Sequence, residues 1–471
     1  MLIMAAMIAA GLPLYAADEA PVDENALFGN AETVVDSSTY EKKADDQNEK
    51  HVGISGELTS VNTYSASREF FEKDGTESNM FSPYIDGTLL LDIRLPQNVK
   101  GLGSFEALYN AQNEESEYHM RELFLDFNLR KKVFFRTGKQ VLQWGRCYLW
   151  NPTDLVNVEK KSFTAKIGSR EGAYGIKAHV PFGTAVNLYG FVNTAGVSEI
   201  EKCAGSAKAE FLIGKTEMAF SVWGKKGYHP VAGYDFSTKL FGIDILGEAS
   251  VSRGSNEPRV YTRYGTVYVP ATVVIAGNVV QTQVPLSGSV LSSRRDNEKI
   301  VPKASIDFGR AFDVGDQTDK IQINIEGYYN GAGYARNILS DTKRYYYDAD
   351  LELEMNGQKV TIPSYAGGTK AVYLYGNNLY NANSYSKYYA ALFTTVNEFL
   401  ISELTLNLNC IGNILHRSVI GSAGISYADI NDLKLSVLVN GYFGPRSTEY
   451  TYRNGVQANG ADIRLTAGII F

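Results

Sequence analysis

From His51 onward the chain breaks into segments of about ten residues in which apolar and polar side chains alternate, the period of a strand with one face buried. In RELFLDFNLR, Leu123, Leu125, Phe127 and Leu129 share one face, while Glu122, Phe124, Asp126 and Asn128 share the other. KIQINIEGYYN sets Ile321, Ile323 and Ile325 against Gln322, Asn324 and Glu326, and SELTLNLNC sets Leu404, Leu406 and Leu408 against Thr405, Asn407 and Asn409. Alternation alone suits a soluble β-sandwich or β-helix as well as a barrel that turns one face to lipid. The connectors separate these readings.

Cutting the chain at its turn signals gives about eighteen such strands, with roughly 16 to 20 admitted by other cuts. Short connectors such as VPFG, LIGKTE and KLFGID alternate with long ones at 62–80, 141–170, 255–299, 332–386 and 444–460. If the first strand rises, every long connector falls on one rim and every short one on the other, as membrane barrels require. Closure also removes the open edges that would leave backbone groups unpaired in lipid. The expected fold is therefore all-β: a transmembrane, antiparallel, up-and-down β-barrel over residues 51–471.

The final segment, ADIRLTAGIIF, aligns Ile463, Leu465, Ala467, Ile469 and Phe471 on one face. A terminal aromatic strand of this kind resembles the assembly signal that outer-membrane barrels present to their insertion machinery, which assigns that role to Phe471. Residues 1–17 form a short apolar run ending in Ala16 and Ala17 and read as a secretory signal peptide. Residues 18–50 are acidic and aperiodic and read as a flexible periplasmic leader. No run is apolar enough for a transmembrane helix.

A net charge of -7 argues against nucleic-acid binding, which needs clustered Lys and Arg. The three cysteines, Cys147, Cys203 and Cys410, and five histidines fall in no disulfide or metal-ligand pattern. No nucleophile elbow or paired-carboxylate motif is present either, so no enzyme, cofactor or metal is expected.

Chemistry then belongs on the polar face and in the loops. The strand phase points both charge signs inward: Arg94, Arg136, Lys177, Lys208, Lys239, Lys303, Lys434 and Arg464 face Glu57, Asp92, Glu106, Glu122, Asp126, Glu210, Asp235, Asp244, Glu248, Asp307, Glu326 and Asp462. Among these, Arg94, Asp126, Arg136, Lys177, Glu326 and Arg464 are carried forward as lumen-facing markers. A barrel of this size holds an aqueous channel unless something fills it. Two long connectors stand out in composition. One holds a candidate hairpin, RYGTVYVPATVVIAGNVVQTQVPL, and the other is Tyr-rich, with KRYYYDAD and YLYGNNLYNANSYSKYY.

The run GKQVLQWGRCYLWNPTDLVNVEK begins the third external loop. Within it GKQ (Gly138 to Gln140), WG (Trp144, Gly145) and NPTD (Asn151 to Asp154) form a pattern that resembles a motif of porin-like outer-membrane barrels, the broad group that includes alginate-export-like porins. The resemblance implies a channel for small solutes or polysaccharide and supplies no catalytic residue. Asn151, Pro152 and Asp154 suit the N-cap, first position and first turn of a short helix. Gln140, Trp144, Arg146, Trp150 and Asp154 are expected to line or brace a constriction made by this loop turning inward.

The reading is a passive, porin-like channel of the bacterial outer membrane for small hydrophilic solutes. Its partners would be outer-membrane lipids and the insertion machinery, with a homo-oligomer left open. The alternative is a surface-exposed adhesin or structural barrel that binds partners through its long external loops.

Overall fold

In the computed structural model the described residues are 50–67, 80–96, 98–112, 114–142, 144–156, 172–275, 278–355, 358–428, 432–453, 456–457 and 459–471. The expected signal peptide and almost all of the acidic leader lie outside them.

Eighteen antiparallel strands form one sheet. Its first eleven strands are β1 (His51–Ser67), β2 (Met80–Leu95), β3 (Val99–Asn110), β4 (Glu115–Leu129), β5 (Val133–Gln140), β6 (Ala173–Phe182), β7 (Val186–Asn193), β8 (Ala204–Ile213), β9 (Thr216–Lys225), β10 (Val231–Leu240) and β11 (Ile243–Arg253). The chain then leaves the sheet for a hairpin, β12 (Arg259–Ile275) and β13 (Asn278–Arg294), and returns through β14 (Ile300–Val314) and β15 (Gln317–Asn330). A long connector carries β16 (Tyr346–Tyr347), the small hairpin β17 (Leu351–Met355) and β18 (Gln358–Ile362), and helix α1 (Lys370–Gly376). The sheet resumes with β19 (Tyr388–Val396), β20 (Leu404–Asn413), β21 (Ser418–Ala428) and β22 (Leu433–Phe443). After the short β23 (Tyr452–Arg453) and β24 (Val456–Gln457), it ends in β25 (Asn459–Ile470).

The sheet closes because β25 pairs with β1, from Glu57↔Ile470 up to Ser67↔Asn459. Beyond the last paired strand residue, Gly56 N–H donates to the Phe471 carbonyl at 2.7 Å, and Phe471 N–H donates back at 3.0 Å. Glycine is needed there: a Cβ at position 56 would lie 2.6 Å from the Phe471 ring and 2.7 Å from the Thr88 carbonyl. The terminal aromatic is thus part of the seam.

Side-chain direction follows the sequence phase. Leu123, Leu125 and Phe127 on β4, Ile325 on β15, Leu408 on β20 and Leu465 on β25 are exposed on the outer surface. Their neighbours Phe124, Glu326 and Asp462 are buried within the barrel. An exterior of exposed Leu, Ile, Val and Phe around a polar interior is the inverse of a water-soluble protein and the pattern of a lipid-facing wall.

Antiparallel order puts the connectors after β1, β5, β11, β15 and β22 on one rim, which gathers all five long segments together. The other rim carries tight turns. Between β10 and β11 the turn is Phe241-Gly242, both with positive φ (54° and 72°), the handedness that suits the twist of paired strands.

The interior is not uniformly polar. Inward-facing Tyr328, Tyr389, Ala391, Phe393 and Ile411 from β15, β19 and β20 form a buried apolar cluster with Leu149 and Trp150 of the third loop and Tyr450 of the last external connector. A second core lies in the long connector after β15, where Tyr347, Leu351 and Tyr373 pack on Leu291 of β13.

Candidate pore constriction

The backbone between Val141 and Val156 forms no regular element among its described residues, so its N–H groups need acceptors from elsewhere. The barrel wall supplies them as carboxylates. Glu122 of β4 accepts from Val141 N–H at 2.6 Å. Glu326 of β15 takes Leu149 N–H at 2.6 Å and Trp150 N–H at 2.7 Å, with Ser305 of β14 donating to the same carboxylate at 2.7 Å.

Glu248 of β11 does most. Its Oε1 accepts from the N–H groups of Arg146 and Cys147 and from Asn151 Nδ2, the last two at 2.7 Å. Its Oε2 accepts from Thr153 Oγ1 at 2.7 Å and Thr153 N–H at 3.2 Å. A loop that leaves β5 and reaches β11 and β15 crosses the interior of the barrel.

These bonds also explain why the expected helix at Asn151 does not form among the described residues. Asn151 turns its amide toward the Cys147 carbonyl and Glu248, and Glu248 takes the Thr153 N–H that a cap would have used. What remains is a turn, with Asp154 N–H on the Asn151 carbonyl at 3.0 Å.

The five residues expected at a constriction take different places. Gln140 is fully buried at the top of β5, and its Nε2 donates to the carbonyls of Arg136 and Gly175 at 3.3 Å, within the wall. Trp144 is buried against Leu142, Val156, Ala173 and Phe191. Its carbonyl accepts from Lys208 Nζ at 2.9 Å. Trp150 stacks on Tyr328 with centroids 5.4 Å apart and rings 12° from parallel, and donates Nε1 to the Asn383 carbonyl at 2.8 Å. Asp154 is buried and accepts weakly from Val156 N–H at 3.4 Å.

Arg146 is the polar centre of the group. Its guanidinium meets Asp235 of β10, Glu217 of β9 and Glu210 of β8, and Lys208 lies 3.0 Å from Glu210 and 3.4 Å from Asp235. Two cations among three carboxylates leave one negative charge at this point of the wall. The arginine therefore masks acids rather than presenting a bare positive charge.

Among the lumen-facing markers, Arg94, Asp126, Arg136 and Glu326 have fixed side-chain or backbone partners. Asp126 and Arg136 face each other across β4 and β5 in a bidentate bridge of 2.7 and 2.9 Å, with the guanidinium 3.8 Å over the Phe124 ring. Arg94 bridges Asp92 at 3.0 Å. Lys177 stands beside Arg136 on β6, and Arg464 beside Thr63 on β1. Glu326 holds the loop.

Three participants escaped the sequence reading. Glu217 is one of the acids on Arg146. Asn383 and Glu449 tie external connectors together: Asn383 N–H donates to Glu449 at 3.0 Å, and Tyr450 O–H donates to Asn383 Oδ1 at 3.0 Å. One signal was available for the apolar lining beneath them. YYAALFTTV is apolar on both faces over Tyr388 to Phe393, as a strand covered on both sides is.

No protein-family model matches the chain, and no curated protein is similar to it in sequence. Solved structures are similar in shape. Pseudomonas aeruginosa OccK9 (OpdG) superposes with a TM-score of 0.48 at 9% identity, over 89% of this chain and 98% of that one. Acinetobacter baumannii OccAB3 gives 0.45 at 9%, over 89% and 99%. Pseudomonas aeruginosa OccK2 (OpdF), solved in complex with glucuronate, gives 0.45 at 9%, over 89% and 98%. The barrel assignment rests on this chain's own strand pairing.

Proposed function

We propose that the chain is a porin-like channel of the bacterial outer membrane that lets small hydrophilic solutes diffuse passively, and that it is not an enzyme. The observation that carries the reading is the combination of an apolar exterior with a charged interior crossed by the third loop. Lipid would meet the outer face, insertion machinery the terminal strand with Phe471, and solute the charged lumen. Arg146, with Glu210, Glu217 and Asp235, forms the electrostatic part of the constriction. Gln140, Trp144, Trp150 and Asp154 brace the loop that presents it. In a planar bilayer the refolded protein should give stepwise conductance. Silence at all voltages and salt concentrations would remove this reading.

A second reading, a barrel that binds a surface partner, has one observation in its favour. The β12–β13 hairpin stands outside the barrel sheet and has no charged residue from Tyr264 to Ser293, in a chain where 21% of residues are charged. Tyr264 and Tyr268 are strongly exposed on it. Replacing Thr266 to Ser287 with an Asn-Gly turn should abolish partner binding while conductance persists. If binding survives, the hairpin is not the contact.

A further inference from the structure

Glu449 lies in the connector between β22 and β25 and is fully buried. Among the described residues, the hydrogen bonds it receives come from neutral donors, and the donors sit on different parts of the chain. Tyr389 O–H at the start of β19 donates at 2.7 Å, Asn413 Nδ2 at the end of β20 at 2.6 Å, Asn383 N–H at 3.0 Å, and Tyr380 O–H at 3.5 Å. Asn383 in turn receives Trp150 Nε1 on its carbonyl and Tyr450 O–H on its side chain. One carboxylate thereby joins the third loop, the long connector after β15 and the last external connector to the outer ends of β19 and β20.

We propose that Glu449 is a positioning residue for conduction: it latches these three connectors over the β15–β20 side of the channel mouth. This rests on the channel reading. The titratable groups that face it are Tyr389 of β19, Tyr380 and Tyr385 of the long connector, Tyr450 beside it, and His416, which meets Asn413 at 3.3 Å. From β22 comes Tyr442, whose hydroxyl is engaged by Asp462. Glu326 is the next carboxylate along the network, through Trp150. The cations on neighbouring turns, Arg417 and Arg446, are exposed.

Burial, opposed by the bonds from Tyr389, Asn413, Asn383 and Tyr380, pushes the Glu449 carboxyl up to about 7. In an unlatched mouth the group would be hydrated and return to the ordinary carboxylate range. The latched state therefore binds the proton more tightly, so it gains as pH falls below about 7 and loses as pH rises through that value. The channel should narrow in mild acid and widen in base.

Bilayer recordings of the full chain at pH 8 and pH 5 test this, using wild type, Glu449→Gln and Glu449→Ala. Wild type should show two conductance levels, with the occupancy ratio of larger to smaller falling by up to roughly two orders of magnitude at pH 5. Glu449→Gln, isosteric but without a titrating carboxyl, should remove the pH dependence and, because its Nε2 meets two of the four donors, lie between wild type and Glu449→Ala. Glu449→Ala should hold the larger level at both pH values. A wild-type pH profile in Glu449→Gln, or identical conductance in wild type and Glu449→Ala, overturns the latch and leaves the channel standing. No conductance from any of the three overturns the channel reading, and the latch with it.

Discussion

The third loop and the β12–β13 hairpin leave the same rim of the barrel and end in opposite situations. The loop has irregular backbone, and its N–H groups at Val141, Arg146, Cys147, Leu149, Trp150 and Thr153 all find wall carboxylates. The hairpin pairs continuously from Arg259↔Arg294 to Ile275↔Asn278 and satisfies its backbone within itself. Connectors of similar origin thus divide by where their peptide groups are met. A loop that cannot close its own ladder is drawn to the inner wall, while one that can is free to project.

The largest effect should follow Glu248→Ala, which removes one carboxylate that serves five donors on the loop. Each buried N–H left without an acceptor costs about 1–3 kcal/mol, so the inward position should be lost and single-channel conductance should rise several-fold. Glu248→Gln keeps one acceptor and should fall between the two. Conductance unchanged in Glu248→Ala would mean that the loop does not limit the pore. Next comes Trp150→Ala, which empties the aromatic site between Tyr328 and Tyr389 and breaks the bond to Asn383. Loss of a buried Trp costs about 3–5 kcal/mol, which thermal unfolding in detergent would register.

Arg146→Gln tests charge with little change of shape. It leaves Glu210, Glu217 and Asp235 without their shared arginine, with Lys208 still beside Glu210 and Asp235, so reversal potentials in a salt gradient should shift toward cation selectivity while conductance changes little. A shift toward anions would show that the arginine was acting as a bare positive charge.

Much of the barrel could be read in the sequence because lipid on one side and water on the other impose a period of two on most of its strands. The outward phase of Leu123 and Leu465 followed from that period, the long-connector rim from the alternation of connector lengths, and the candidate hairpin from a connector that stood out in composition. The proposed constriction was only half legible. Trp144, Arg146 and Trp150 announced themselves by type, but the residues that hold them did not. Glu248 and Glu326 look like ordinary lumen acids, since most of their partners are backbone N–H groups that carry no residue identity. Glu449 sits in a connector without periodicity, so no pattern marked it as buried. The anticipated helix at Asn151 failed for the same reason: a carboxylate 95 residues away took the Thr153 N–H of its first turn.

The smallest effect on the channel should come from removing the hairpin, and that makes it the sharpest test of the contrast. Gly265 pairs with Gly288, so replacing Thr266 to Ser287 with an Asn-Gly turn shortens the ladder without opening it. Val290 and Leu291 keep their parallel pairing to Tyr346 and Tyr347, and the core around Leu291 is preserved. Conductance, ion selectivity and thermal stability should match those of the intact chain, because no loop-three anchor at Glu122, Glu248 or Glu326 lies in the deleted segment. If conductance changed as much as in Glu248→Ala, the two connectors would not be separate devices, and the division between inward loop and projecting arm would have to be given up.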